Sequence, residues 1–395
     1  MINQFKYLLI IFIFSMTSCS QQTNEEISAR VTEIQKSNIP DKRLMFWNID
    51  VISSEGENCL SGETASEKGF SELKSLAVQH NLKFEVELLP TERFKENRWG
   101  VVTLSVCNIR GKATHSSELL SQALLGTPVK VYKEVDGWYL IQTPDRYFGW
   151  VDDAAVSLKS NPELADWKNL KKVLFNKQFG FAYAGIDENT AIESDLLAGD
   201  LLSVIDSENK FYKTLFADGR IAFVKKEDCV SLEKWQTKKM VIDDVIATAL
   251  KFKGLPYLWG GTSSKMLDCS GFTKTVYYMN GIILQRDASQ QTLHGELVDT
   301  ANGYENLLPG DLVFFGRKAS ADTPEKVTHV GLYIGEKEFI HASGKVRINS
   351  LDKTKENYTE HYENAFVRSR RVIENVKGEG IEWIVDNEFY KEILP

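Results

Sequence analysis

One stretch, Tyr257-Leu-Trp-Gly-Gly-Thr-Ser-Ser-Lys-Met-Leu-Asp268-Cys269-Ser270, constrains the fold of this chain more than any other. A Gly-Gly turn leads into Asp-Cys-Ser. Gly271-Phe-Thr-Lys-Thr-Val-Tyr-Tyr-Met279 follows with apolar side chains at 272, 276 and 279, the i, i+4, i+7 spacing of one helix face. Asp268 and Ser270 are residue types that cap helix starts. The pattern predicts Cys269 in the first turn of a helix, where the positive end of the helix dipole favours thiolate over thiol. His329, in Thr-His-Val-Gly-Leu-Tyr-Ile-Gly, and His341, in Phe-Ile-His-Ala-Ser-Gly, lie in alternating β-branched runs. These read as adjacent antiparallel strands with Glu336-Lys337 near the turn. A cysteine on a helix start facing histidines from strands is the layout of a nucleophile, a general base and an orienting group. It implies a cysteine peptidase.

A net charge of −8 with no basic stripe speaks against nucleic acid as a partner, but not against a peptide or cell-wall ligand. Near the N-terminus, Lys6 precedes the apolar run Tyr7-Leu-Leu-Ile-Ile-Phe-Ile-Phe14, too short to span a bilayer as a helix and shaped like a secretory signal. Ser15-Met-Thr-Ser-Cys19 resembles a bacterial lipoprotein cleavage site, with Met16 where that motif usually has Leu. This implies that residues 1–19 form a lipoprotein signal, that Cys19 becomes a lipidated N-terminus, and that the protein is extracytoplasmic and membrane-anchored; a plain secretory signal is the alternative. Cys59, Cys107 and Cys229 are widely spaced without a C-x-x-C pair, so they read as small buried hydrophobes.

The sequence predicts a multidomain architecture. Residues 20–40 are a polar linker, and 41–97 a small α+β N-terminal unit with strands at 43–51 and 82–88 around a helix at 66–80 ending in His80. Two segments, 98–160 and 161–233, echo each other at an offset of 73 residues. Gly126-Thr-Pro-Val-Lys-Val131 matches Gly199-Asp-Leu-Leu-Ser-Val204, with short strands and turn residues at regular intervals, as in two small β-barrels. A basic connector at 234–241 leads to a helix at 242–252 with Val245, Ile246, Ala249 and Leu250 apolar. An α+β domain occupies 241–372, followed by a C-terminal tail at 373–395.

Thiol catalysis needs a sulfur nucleophile, a base, and donors for the developing oxyanion. Cys269 supplies the sulfur, His329 the base, and His341 the group that holds the tautomer of His329. The backbone N–H of Cys269 and the hydroxyl of Tyr257 are candidate oxyanion donors. Zinc ligation by Cys269, His329 and His341 is the rival reading, disfavoured because no short ligand spacing or fourth ligand stands out. No metal or organic cofactor is required for acyl-thioester chemistry. His115, His294 and His361 lack a comparable setting.

Leu-Pro-Tyr257-Leu-Trp-Gly-Gly, Asp268-Cys269-Ser270-Gly-Phe, Arg286-Asp287-Ala-Ser289-Gln-Gln, Leu308-Pro-Gly-Asp311, His329-Val-Gly-Leu-Tyr-Ile-Gly and Ile-His341-Ala resemble, in order, the motifs of the NlpC family of bacterial cell-wall cysteine peptidases. The resemblance implies a papain-like α+β core with nucleophile Cys269, base His329 and third polar residue His341. Asn108-Ile-Arg110 ahead of Leu-Gly-Thr-Pro-Val-Lys-Val and Gly-Trp-Tyr resembles a bacterial SH3-like domain, and the second copy is more diverged. The combination resembles the γ-D-glutamyl-L-diamino acid endopeptidases, which cut L-Ala-γ-D-Glu from murein stem peptides. That resemblance implies that Glu118 and Tyr147 hold the free amine of L-Ala, and that Asp268, Ser270 and the Arg286-Asp287 segment hold the γ-D-Glu and amine ends. Ala288 stands where some members carry Ser, which implies that a hydroxyl contact to substrate is either lost or shifted to Ser289. Without the family, Glu118 reads as a helix-face charge and Tyr147 as a barrel aromatic. A hydrolase of intact polymeric wall and a non-catalytic wall-binding lipoprotein are the rival functions.

Overall fold

The structure, a computed structural model, describes residues 24–54, 57–237, 241–373, 376, 378 and 380–394. Cys19 and the rest of the leader lie outside the described residues. The chain divides into two compact units with the boundary between Glu96 and Asn97.

The first unit begins with a helix, α1 (24–38), where a polar spacer was expected. Ile27, Val31 and Ile34 stand at i, i+4 and i+7 and supply an apolar face, and Ile27 and Val31 are buried in the unit's core. Burying each such side chain is worth about 1.5–3 kcal/mol, enough to hold an otherwise polar helix. β1 (Trp47–Ser54) pairs antiparallel with β2 (Glu57–Thr64), and β2 pairs parallel with β3 (Lys83–Leu88) through the crossover helix α2 (Glu67–Gln79). Ser66 caps α2, its Oγ accepting from the Gly69 N–H at 3.1 Å. The first strand starts later than the apolar run suggests because Asp41 turns the chain, accepting from the Arg43 N–H at 2.9 Å.

The second unit opens with β4 (Trp99–Val102), β5 (Val106–Arg110), β6 (Leu119–Leu124), β7 (Pro128–Val135), β8 (Trp138–Gln142), β9 (Phe148–Asp152) and β10 (Val156–Lys159). They form one sheet in the order β10-β4-β7-β8-β9-β5-β6. After α3 (Asn161–Asn169) come β11 (Lys171–Phe175), β12 (Phe179–Tyr183), β13 (Ile192–Leu197), β14 (Leu201–Glu208), β15 (Phe211–Leu215), β16 (Ile221–Lys225) and β17 (Cys229–Ser231). Their order is β17-β11-β14-β15-β16-β12-β13, the same arrangement with each strand displaced by seven. The repeat extends to single bonds. Gly126 N–H donates to the Val102 carbonyl and Gly199 N–H to the Phe175 carbonyl, both at 2.9 Å and both pairs offset by 73 positions.

α4 (Leu232–Gln236) and α5 (Ile242–Lys251) lead into the third sheet region. α5 buries Val245 and Ala249, while Leu250, one position beyond Ala249 and so turned away from that face, is exposed. A short hairpin, β18 (Thr262–Ser263) with β19 (Met266–Leu267), precedes α6 (Cys269–Tyr278), β20 (Ile282–Leu284) and α7 (Ala288–Gln291). β21 (Glu296–Val298), β22 (Leu312–Arg317), β23 (Lys326–Gly335), β24 (Glu338–Ser343) and β25 (Lys345–Ser350) follow, then α8 (Glu360–Ala365) and β26 (Phe366–Arg371). The antiparallel sheet runs β21-β26-β22-β23-β24-β25. Phe272 and Val276 of α6 share a core with Phe314, Val330, Leu332 and Ile340 of the sheet.

The tail returns to the body. β27 (Ile381–Trp383) pairs with β20, and Phe389 of α9 (Glu388–Lys391) meets the Trp99 ring edge-on at 5.6 Å. Glu388 pairs with Lys130 at 2.9 Å, and Asn387 Nδ2 donates to the Pro144 carbonyl at 3.0 Å. The tail thereby fastens the first seven-stranded sheet to β20, the strand that follows α6. Cys107 is buried, Cys59 and Cys229 are half-buried, and all three carry free thiols.

Candidate active site

The first turn of α6 is built by Asp268, its N-cap. Asp268 Oδ1 accepts from the Gly271 N–H at 2.7 Å, and Oδ2 accepts from the Gly260 N–H at 2.9 Å, so one carboxylate ties the helix start to the Gly-Gly turn. Two glycines are required here. A Cβ on Gly271 would lie 2.0 Å from the Gly261 carbonyl oxygen, and Gly260 has φ +81 and would place a Cβ 2.4 Å from the Leu119 carbonyl oxygen. Arg286, 1 % exposed, bonds both Asp268 oxygens and reaches Ser270 Oγ at 3.0 Å. This fork of a guanidinium on a carboxylate fixes the capping residue and therefore the direction in which Cys269 leaves the helix.

Cys269 is 8 % exposed. The backbone N–H of Val330 bonds its sulfur, which sets the thiol against β23, the strand that carries His329. Burial, followed by the neighbouring Asp268 carboxylate, pushes the thiol up to about 12, against the opposing pull of the Val330 N–H and Arg286. Burial and the adjacent anion thus act against the thiolate that the helix dipole favours.

His329 and His341 face each other across the β23–β24 hairpin, whose turn residues Glu336 and Lys337 both adopt positive φ, 52 and 58. His329 Nε2 and His341 Nδ1 are 2.8 Å apart, and His341 Nε2 is 2.9 Å from Asn349 Oδ1. The Tyr362 ring stacks on His329 with centroids 5.6 Å apart. Burial lowers His329 to about 3, with His341, His361 and Arg347 acting in the same direction, and burial lowers His341 to about 4. The direction of these shifts, thiol up and imidazole down, favours a general base acting during attack over a preformed ion pair.

These shifts make stability depend on pH. Above 6.5, the ordinary histidine value, folded and unfolded chains are both neutral at His341 and the stability is complete. Between 6.5 and about 4 the unfolded chain takes up a proton that the folded chain refuses, so stability is lost as pH falls, by about 1.4 kcal/mol per pH unit. His341→Gln is expected to fall less steeply than the parent across this window, read as urea midpoints at pH 7 and 4.5. Parallel slopes would contradict the assignment.

The residues expected on the substrate side surround this centre. Tyr257 is half-buried, and burial, then Cys269 and Asp268, push its hydroxyl up to about 12, so it remains a donor. Tyr147 Oη donates to Asp287 Oδ2 at 3.1 Å, connecting the first seven-stranded sheet to the residue beside Arg286. Glu118 accepts from Trp259 Nε1 at 2.8 Å; it stands in the loop before β6 rather than on a helix face. Gln122 holds Thr262 through two bonds, at 3.0 and 2.9 Å. Asp287 caps α7, Ala288 is buried, and Ser289 sits half-buried in the first turn of α7. One connected network therefore joins Asp268, Ser270, Arg286, Asp287 and Tyr147 beside Cys269, while Glu118 reaches the site through Trp259.

Asn349 was not singled out from the sequence. Its only sequence signal is the polar phase of Lys345-Val-Arg-Ile-Asn-Ser, which does not say that the side chain reaches His341. Among the described residues, no group of three or more His, Cys, Asp or Glu is placed to hold a metal ion. The donor set is also spent, because both ring nitrogens of His341 are engaged, one by His329 and one by Asn349.

Residues 254–370 match the NlpC/P60 family, and residues 109–156 match the bacterial dipeptidyl-peptidase Sh3 domain. A γ-D-glutamyl-L-lysine dipeptidyl-peptidase of Bacillus cereus is 31% identical over 64% of this chain and 76% of its own length. The chain belongs to the NlpC/P60 family of cysteine peptidases. Dipeptidyl-peptidase 6 of Lysinibacillus sphaericus is 26% identical over 64% of this chain and 92% of its own. The crystal structure of an NlpC/P60 family protein from Bacillus cereus superimposes with a TM-score of 0.59 at 26% identity, covering 70% of this chain and 99% of that one.

Proposed function

We propose that this NlpC/P60 peptidase hydrolyses the bond between γ-D-Glu and the diamino acid of murein stem peptides whose N-terminal L-Ala is free. The observation that carries the reading is that Tyr147 bonds Asp287 beside Arg286 of the Asp268–Arg286 network, while Glu118 bonds Trp259 of the adjoining Gly-Gly turn. A carboxylate and an aromatic face suit an ammonium group, and an acylated terminus would bring them no charge and only a single amide N–H. The likeness to the γ-D-glutamyl-L-lysine dipeptidyl-peptidase of Bacillus cereus supports the same substrate class.

In this reading the Cys269 sulfur attacks the γ-carbonyl of D-Glu while His329 takes the thiol proton. The Cys269 N–H and the Tyr257 hydroxyl hold the oxyanion. Collapse breaks the C–N bond, His329 returns its proton to the leaving amine, and water, deprotonated by His329, releases L-Ala-γ-D-Glu from the thioester. We further read β11–β17 as a second SH3-like barrel, and Cys19 as a lipid attachment point that holds the enzyme at an extracytoplasmic membrane surface.

The test compares L-Ala-γ-D-Glu-diaminopimelate with the same peptide acetylated on its N-terminus, with products read by mass spectrometry. The free peptide should be cut and the acetylated one should lose about ten- to a hundred-fold in kcat/KM, the worth of a charge-assisted hydrogen bond. Glu118→Gln should bring the two rates together. Equal cleavage of both peptides by the parent would remove the amine gate and favour a hydrolase of polymeric wall.

A further inference from the structure

The backbone carbonyl of Asn357 accepts from two donors, Ser350 N–H at 3.1 Å and Asn349 Nδ2 at 2.8 Å. A carbonyl can only accept, so the Asn349 amide turns its NH2 group that way and its Oδ1 toward His341 Nε2, 2.9 Å distant. An amide oxygen can only accept too, so His341 carries its proton on Nε2. In the neutral ring Nδ1 is then a bare lone pair, and it lies 2.8 Å from His329 Nε2. His329 must therefore be protonated on Nε2, which leaves its Nδ1 as the lone pair that can receive the thiol proton. We propose that Asn349 is a positioning residue: by fixing the tautomer of His341, and through it that of His329, it keeps the accepting nitrogen of the base turned to the nucleophile.

The proposal rests on His329 being the base in the function proposed above. The surroundings favour a fixed, neutral chain. His341 is 0 % and Asn349 8 % exposed. Asn357 is itself held by Glu338, whose Oε1 accepts from Asn357 Nδ2 at 2.8 Å and whose other oxygen lies 3.4 Å from Lys355. Arg347, opposite His341 in the β24–β25 register, opposes protonation of both histidines, His361 on α8 opposes that of His329, and the Tyr362 ring covers His329. The direction of every hydrogen bond from Asn357 to His329 is thereby set at a backbone carbonyl.

The first measurement needs no variant. Long-range 1H–15N spectra of histidine-labelled protein at pH 7.5 should show His329 and His341 both as Nε2–H tautomers. A Nδ1–H tautomer at His341 would overturn the proposal. The second uses Asn349→Asp and Asn349→Leu, with circular dichroism as the control for folding. Aspartate would favour a cationic His341, whose Nδ1–H would then donate to His329 Nε2 and drive the His329 proton onto Nδ1. Its kcat/KM at pH 7 should fall about 10²- to 10⁴-fold, the scale of a wrong-tautomer defect in a triad, and the acid limb should move up by about one pH unit or more. Leucine should cost about tenfold without moving that limb, because it removes the tautomer preference without adding charge. Alkylation of Cys269 by iodoacetamide, followed by peptide mass mapping, supplies the same pH profile without any peptide substrate. A shifted alkylation profile with no peptide turnover would uphold Asn349 and reject the substrate reading. An Asn349→Asp protein whose acid limb and rates match the parent would reject Asn349.

Discussion

Cys269→Ala is expected to abolish hydrolysis of L-Ala-γ-D-Glu-diaminopimelate, lowering kcat/KM by at least about 10⁴-fold, while the protein stays folded. Within the second unit no other described cysteine stands in the site, since Cys107 lies on β5 and Cys229 pairs β17 with β11. His329 cannot replace the sulfur, because its accepting nitrogen serves the proton and not the carbonyl. The loss of stability should be modest, about 1–2 kcal/mol, since one buried sulfur is removed from a core that keeps Phe272 and Val276. Mass spectrometry of the digest and a urea titration read the two effects separately. Residual activity above about 1% of the parent would displace Cys269 from the nucleophile role.

The second large effect is expected at Arg286. Arg286→Met should cost about 3–5 kcal/mol, because it leaves the buried Asp268 carboxylate without its charge partner. Burial works against the guanidinium charge, and Asp268 more than offsets it, so the pair is strongly interdependent. Activity should fall with stability, since the freed carboxylate no longer caps α6 and holds the Gly260 turn in one geometry. The double variant Asp268→Asn, Arg286→Met should be more stable than the sum of the single losses predicts, by more than about 1 kcal/mol. Urea midpoints of the four proteins decide this. Strict additivity would mean that the two side chains act independently, contrary to the fork seen between them.

What was legible in the chain follows the range of the forces involved. Asp268 as cap, Cys269 in the first turn, and Phe272 and Val276 on a buried face come from contacts within a few residues, which is why they can be read from spacing alone. The same holds for the repeat at 73 residues, since Gly126 and Gly199 make the same local bond to the end of a preceding strand. Residues 24–38 carried the apolar spacing of a helix, but its meaning depended on a core to receive Ile27 and Val31. A polar composition concealed it.

The order of motifs by itself determined the class of chemistry: a thiol at a helix start, a histidine on each of two adjoining strands, and a repeated strand-rich segment before them. Only the tertiary structure decided how those groups are poised. Burial and the Asp268 charge push the Cys269 thiol up and burial pushes both histidines down, because desolvation is a property of everything packed around a group and not of its neighbours in sequence. Asn349 and Tyr147 reach the site by the same route. One is brought by strand pairing and the other by packing of a separate sheet against Asp287, contacts between residues that spacing along the chain cannot place together.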